Sequence, residues 1–170
     1  MNDNLNKISA ILDKAQVFYL ATVENDQPRV RPFGAYLVHD DKLYLVTGKV
    51  KEVSKQLAAN PKAEVCAFDG DKWIRVAGTL INDDSREVKT LMLNKMPSLR
   101  AMYNEDDGNM QMLYFKDATV TISSFVEAPI SFKIWLFLIY IFWNIYIRVL
   151  RFYKSNFSIS EMLRKYQWKS

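Results

Sequence analysis

Three stretches of this chain hold side chains suited to gripping an anion. The first is Gln27-Pro28-Arg29-Val30-Arg31-Pro32-Phe33-Gly34. Arg29 and Arg31 alternate along an extended segment, so both point to one face. Guanidinium groups donate in a fork that matches phosphate oxygens. Pro32 removes a backbone donor and so places the strand at an edge or bulge. Gly34 lets a flat ring come close to the backbone. The second stretch is Tyr44 to Lys55, where a strand ends at Thr47 and a helix begins near Val50 or Lys51. Free N–H groups at a helix start, the Thr47 hydroxyl, and Lys49, Lys51 and Lys55 together make an anion cradle. The glycine spacing is not that of a Walker loop. The third stretch is Lys72-Trp73-Ile74-Arg75-Val76-Ala77-Gly78, with Trp73 and Arg75 on one face and Ile74 and Val76 on the other. Trp73 suits either the cover of a ring or a place in the core. Taken singly, each stretch also reads as ordinary solvated cations on a strand or helix.

Other chemistries find little to work with. The chain of 170 residues has one histidine and one cysteine. His39 precedes Asp40 and Asp41 and reads as a solvated turn residue. Cys66 alone builds neither a disulfide framework nor a zinc ribbon. No Ser-His-Asp set or metal-ligand cluster stands out. A hydrolase or a metalloenzyme is therefore a poor fit.

The elements that must position these residues follow from the hydrophobic pattern. Leu5, Ile8, Ile11 and Leu12 recur at helical spacing and predict a helix over 3–15. Strands are expected from Val17 to Val23, from Arg29 to Val38 and from Leu43 to Thr47, joined by short polar turns as a meander. A helix over 51–60 stops at Pro61. Ala63 to Phe68 and Trp73 to Leu80 read as a hairpin. Helices follow, from Asp83-Asp84 to about Lys95 and from Pro97 to Tyr103. Met112 to Lys116 and Ala118 to Phe125 read as a last hairpin around Asp117. About seven antiparallel strands with inserted helices give a mainly β, α+β fold, and such a sheet removes its edges by closing into a barrel.

Charge and composition divide the chain at residue 130. Residues 1–133 carry 17 Lys/Arg against 18 Asp/Glu, whereas residues 134–170 carry 6 against Glu161 alone. The main body offers no phosphodiester-binding face, so nucleic acid is not an expected partner. The N-terminus lacks the apolar core of a secretory signal, so the body is expected in the cytoplasm. Residues 131–170 form an apolar and basic tail, with an expected helix at 134–154. Three readings of it stand: a short membrane anchor with Arg148, Arg151 and Lys154 at the headgroups, a helix in an oligomer interface, or an extension without a selected role.

Together the three stretches resemble the FMN-binding split-barrel family of pyridoxamine-phosphate oxidases, in particular its short bacterial members. The resemblance runs from about Phe18 to Phe125. It rests on a strand bearing the arginine pair, a strand ending in Thr47, a helix ending in Asn60-Pro61, and a hairpin ending in Arg75-Val76-Ala77-Gly78. It implies FMN as cofactor and a homodimer with FMN at the subunit interface. Arg29 and Arg31, with the backbone of Pro32, Phe33 and Gly34, would then face the flavin and its phosphate. Thr47 would contact the cofactor and Lys51 the phosphate. Trp73 and Arg75 would come from the partner subunit or the neighbouring strand. The implied activity is oxidoreduction of a small molecule with a nicotinamide donor, the cation near the ring favouring the anionic reduced flavin. A non-enzymatic flavin or haem module is the alternative, with His39 as axial ligand, and a membrane-attached interaction protein is another. Vitamin B6 oxidation fits poorly: Val53 stands where those oxidases have a basic residue, and their C-terminal arginine–histidine segment is replaced by the tail.

Overall fold

The computed structural model describes residues 3–134, so the tail from residue 135 onward, and with it most of the expected helix at 134–154, lies outside the described residues. Helix α1 spans Asp3–Ala15 and buries Leu5, Ile8, Ile11 and Leu12, the stripe its periodicity predicts. Strand β1 (Phe18–Glu24) turns at Asn25, φ 56°, into β2 (Gln27–Phe33). Strands β3 (Tyr36–His39) and β4 (Lys42–Gly48) are joined through Asp40 and Asp41, both left-handed, as a tight hairpin turn requires. Then come α2 (Glu52–Ala59), the hairpin β5 (Lys62–Phe68) and β6 (Lys72–Asn82), α3 (Arg86–Lys95) and a 3₁₀ helix at Pro97–Ala101. Strands β7 (Met110–Ser124) and β8 (Ile130–Ile134) complete the sheet.

The strands run in the order β2-β1-β5-β6-β7-β4-β3, with β8 also on β7, and every pairing is antiparallel. The strands β2 and β3 sit at opposite ends of this path, yet only Gly34 and Ala35 separate them in the chain. The sheet must therefore curl until its ends approach, which is the split barrel. The expected single strand from Arg29 to Val38 is thus two strands with a corner at Gly34, and that corner forms the cavity wall described below. Strand β2 has β1 as its one partner, so its open edge accommodates Pro28 and Pro32.

The expected hairpin around Asp117 is instead one continuous strand. Both halves of β7 pair with β6, as Thr79↔Lys116 and Ala77↔Thr119, with a register shift between them. Asp117 takes φ 52° at this bulge. Gly78 lies opposite, where an added Cβ would come within 3.0 Å of the Ala118 backbone. The bulge bends β7 so that its first half pairs with β4 and its second with β8. The sheet therefore continues past residue 130 to Ile134, which is buried.

Two apolar clusters result. The barrel interior holds Leu20, Leu45, Val65, Ile74, Val76, Phe115 and Val120, covered by α1. On the outer side of β3, β4 and the start of β7, α3 packs Val88, Met92 and Leu93 against Leu37, Tyr44, Val46 and Met112, with Leu99 and Tyr103. Among the described residues no helix is long and apolar enough to cross a membrane.

Candidate functional site

A cavity of about 290 Å³ opens where the Gly34 corner, the end of β4, the start of α2 and the 3₁₀ helix meet. Of the residues singled out by their sequence pattern, Arg31, Pro32, Phe33, Gly34, Thr47 and Lys51 line it. Val46, Val53, Leu99, Met102 and Tyr103 supply an apolar wall that the sequence pattern did not reveal.

Arg31 is half-buried and tied down by neutral groups. Its Nη1 donates to the Leu20 carbonyl at 3.1 Å and to Thr22 Oγ1 at 2.7 Å, and its Nη2 donates to Gln56 Oε1 at 2.7 Å. The Thr22 hydroxyl donates in turn to Gln56 Oε1 at 2.7 Å. Thr22 and Gln56 are both buried, so α2 is bolted to β1 and β2 through this triangle. Burial, and then the charge of Arg29, lower the Arg31 pKa from its ordinary value. The group still carries its proton at any physiological pH. No carboxylate among the described residues is within ion-pair distance of it.

Lys51 precedes α2 with extended backbone and no side-chain cap on the helix. Its Nζ lies 5.8 Å from the Tyr103 ring centroid, and among the described residues no carboxylate pairs with it. The other lysines of this stretch are engaged: Lys49 with Asp84 at 2.6 Å and Lys55 with Glu52 at 2.7 Å. Thr47 is 2% exposed, and its hydroxyl finds no hydrogen-bond partner among the described residues. A buried, unpartnered hydroxyl is costly, and it marks a place where a polar group from outside the chain would be accommodated. Gly48 follows directly, crowded by Asn109 and by the Tyr103 hydroxyl, which would stand 3.2 Å from an added Cβ. The close approach of these groups holds the end of β4 against the cavity.

Three of the expected residues are placed elsewhere. Arg29 pairs with Glu24, its Nε 2.8 Å and its Nη2 2.6 Å from Oε2. Arg75 grips Glu64 with Nε and Nη2 on the exposed face of the β5–β6 hairpin. Trp73, on the same face, packs against Phe125 with ring centroids 5.1 Å apart. None of the three lines this chain's cavity. His39 ends β3 beside Asp40 at 3.5 Å and Glu87 at 3.9 Å, and it does not line the cavity either.

The sequence matches the family model described as pyridoxamine 5'-phosphate oxidase over residues 5–118. It is 44% identical to a NimC/NimA family protein from Clostridium acetobutylicum, with a TM-score of 0.74 over 77% of this chain and 92% of that one. The chain belongs to the pyridoxamine 5'-phosphate oxidase family, and its fold is that family's split barrel. A pyridoxamine 5'-phosphate oxidase-related, FMN binding protein from Nostoc punctiforme matches at 16% identity and TM-score 0.55, over 79% of this chain and 98% of that one. A heme binding protein from Mycobacterium smegmatis matches at 16% identity and TM-score 0.60, over 72% and 55% respectively. At these identities the likeness to the last two is one of fold. No protein of curated description matches the chain.

Proposed function

We propose that this chain is an FMN-binding flavoprotein that passes electrons from a nicotinamide donor to a small molecule. One observation carries the reading. Arg31 and Lys51, two cations without a carboxylate partner among the described residues, line a single cavity together with Thr47, whose buried hydroxyl has no partner among those residues. Uncompensated positive charge in a partly dry recess favours a phosphorylated ligand. The apolar wall of Val46, Leu99, Met102 and Tyr103 suits a flat aromatic ring.

When bound, FMN supplies the hydride and single-electron chemistry. The chain's residues supply the rest. Arg31, held in one geometry by Thr22 and Gln56, offers its remaining N–H groups in a fixed direction. Lys51 adds a mobile point charge at the mouth of α2. The Thr47 hydroxyl gains the partner it lacks, and the apolar wall keeps water away.

A cavity of about 290 Å³ covers only part of a flavin nucleotide, so a second wall is needed. A homodimer provides it. Tyr19 and Phe125 leave apolar surface exposed on the face of the sheet that carries Trp73 and Arg75. Those residues would then reach the neighbouring subunit's flavin.

The absorbance spectrum of the purified full-length protein tests the reading. Flavin bands that fade on addition of a nicotinamide donor are the expected result. A colourless protein that gains no colour with added FMN overturns it. Thr47→Val gives a second, sharper outcome. Removing the unpaired hydroxyl should leave the flavin-free protein as stable or more stable by about 1 kcal/mol. The same change should weaken FMN by about fivefold, the worth of one neutral hydrogen bond. Thermal melts with and without FMN read both effects.

A further inference from the structure

Arg29 and Arg31 look equivalent in sequence, yet the structure gives them different partners. In the β1–β2 register, Leu20 opposes Arg31, Thr22 opposes Arg29 and Glu24 opposes Gln27, so all of these side chains share one face. That face carries one carboxylate, Glu24, and two guanidinium groups. Arg29 takes the carboxylate at 2.6–2.8 Å, while Arg31 takes only neutral acceptors. Gln56 shows how near the competition is. Its oxygen accepts from Arg31, and its side chain also helps hold the Glu24 carboxyl below its ordinary pKa. The Glu24 pKa lies below the usual carboxylate value, chiefly through the Arg29 hydrogen bond and charge, with a smaller share from Gln56 and Arg31.

We propose that Arg29 is a positioning residue for the anion site: by occupying Glu24, it keeps that carboxylate off Arg31 and leaves the Arg31 charge free for a phosphate. Arg29 does this without lining the cavity. Its role is electrostatic housekeeping inside the hairpin, and the ligand is a phosphate-bearing one such as FMN. The inference rests on the phosphate-binding reading of the cavity given above.

Without Arg29, the cation still acting on Glu24 is Arg31. A carboxylate that swings onto Arg31 competes with the ligand phosphate for the same N–H groups. An exposed ion pair is worth up to about fivefold in an equilibrium, so Arg29→Ala should weaken FMN by about that factor. Removing the competing charge at the same time should undo the loss.

The experiment is a double-substitution cycle read by quenching of FMN fluorescence on binding. Arg29→Ala should weaken binding. Arg29→Lys should retain it, because an ammonium still engages Glu24. Glu24→Gln alone should bind FMN at least as tightly as the unaltered chain. Arg29→Ala combined with Glu24→Gln should recover to within about twofold, since the pair's effects are coupled. An Arg29 that touches the phosphate directly gives the opposite result: the double variant stays as weak as Arg29→Ala, and the proposal is overturned. Circular dichroism and melting of all four variants check that this exposed pair leaves the fold intact. If the unaltered chain binds no FMN, the functional reading fails by itself. The same cycle titrated with inorganic phosphate then decides the role of Arg29, with rescue or its absence carrying the same meaning.

Discussion

Arg31→Ala should weaken FMN binding by about tenfold to a hundredfold, the worth of a charge-assisted bond to phosphate. The change removes more than a charge. Thr22 Oγ1 and Gln56 Oε1 lose the guanidinium that bridges them, although their bond to each other at 2.7 Å survives. The Leu20 carbonyl also loses a donor. The flavin-free protein should therefore lose about 1–3 kcal/mol of stability as well, the cost of leaving buried acceptors short of partners. Arg31→Lys separates the two effects. An ammonium restores the charge but cannot fork between Thr22 and Gln56 while also facing the cavity. It should recover part of the affinity and little of the stability. Isothermal titration with FMN and urea melts of the three proteins measure both quantities. Equal FMN affinity in Arg31→Ala and the unaltered chain would remove Arg31 from the site.

What the residue pattern revealed of this site was local. Gly34, Thr47 and Lys51 each sit at a strand end, a corner or a helix start, where a single residue type announces the backbone geometry. The 3–15 helix was equally plain, because its four apolar residues repeat on one face. The apolar wall was hidden for the opposite reason. Leu99, Met102 and Tyr103 belong to a turn after Pro97 whose own pattern says nothing of where it packs. Only the closure of the barrel brings it against Val46. The different fates of Arg29 and Arg31 were within reach of sequence reasoning. A tight turn at Asn25-Asp26 places Glu24 opposite Gln27, one diagonal from Arg29. The strand pattern weighed the two arginines together and left Glu24 out.

The second large effect concerns the strand that the pattern misread. Phe115→Ala should destabilise the protein by about 3–5 kcal/mol, the usual cost of emptying an aromatic core position. Phe115 is 2% exposed and lies opposite Leu80 in the β6–β7 register, just before the bulge at Asp117. Lys116-Asp117-Ala118 has the polar tip of a hairpin turn, and Asp117 has the left-handed backbone that such turns use. A hairpin there would fold Ala118–Ser124 back onto Met110–Lys116. The observed strand instead continues along β6, because β6 buries Ile74 and Val76 as well as Leu80 and needs apolar partners along its whole length. Phe115, Val120 and Ile122 provide them on either side of the bulge. With Phe115 shortened, the first half of β7 keeps Leu113 alone in the barrel interior, while Val120 and Ile122 hold the second half in place. The loss should therefore fall first on the half of β7 that pairs with β4, from Tyr44↔Tyr114 to Gly48↔Met110, and so on the cavity. Hydrogen exchange resolved by residue tests this order. Amides of β4 from Leu45 to Gly48 should lose protection ahead of those from Val120 to Ile122. Equal loss in both segments would mean that β7 acts as one rigid strand across its bulge.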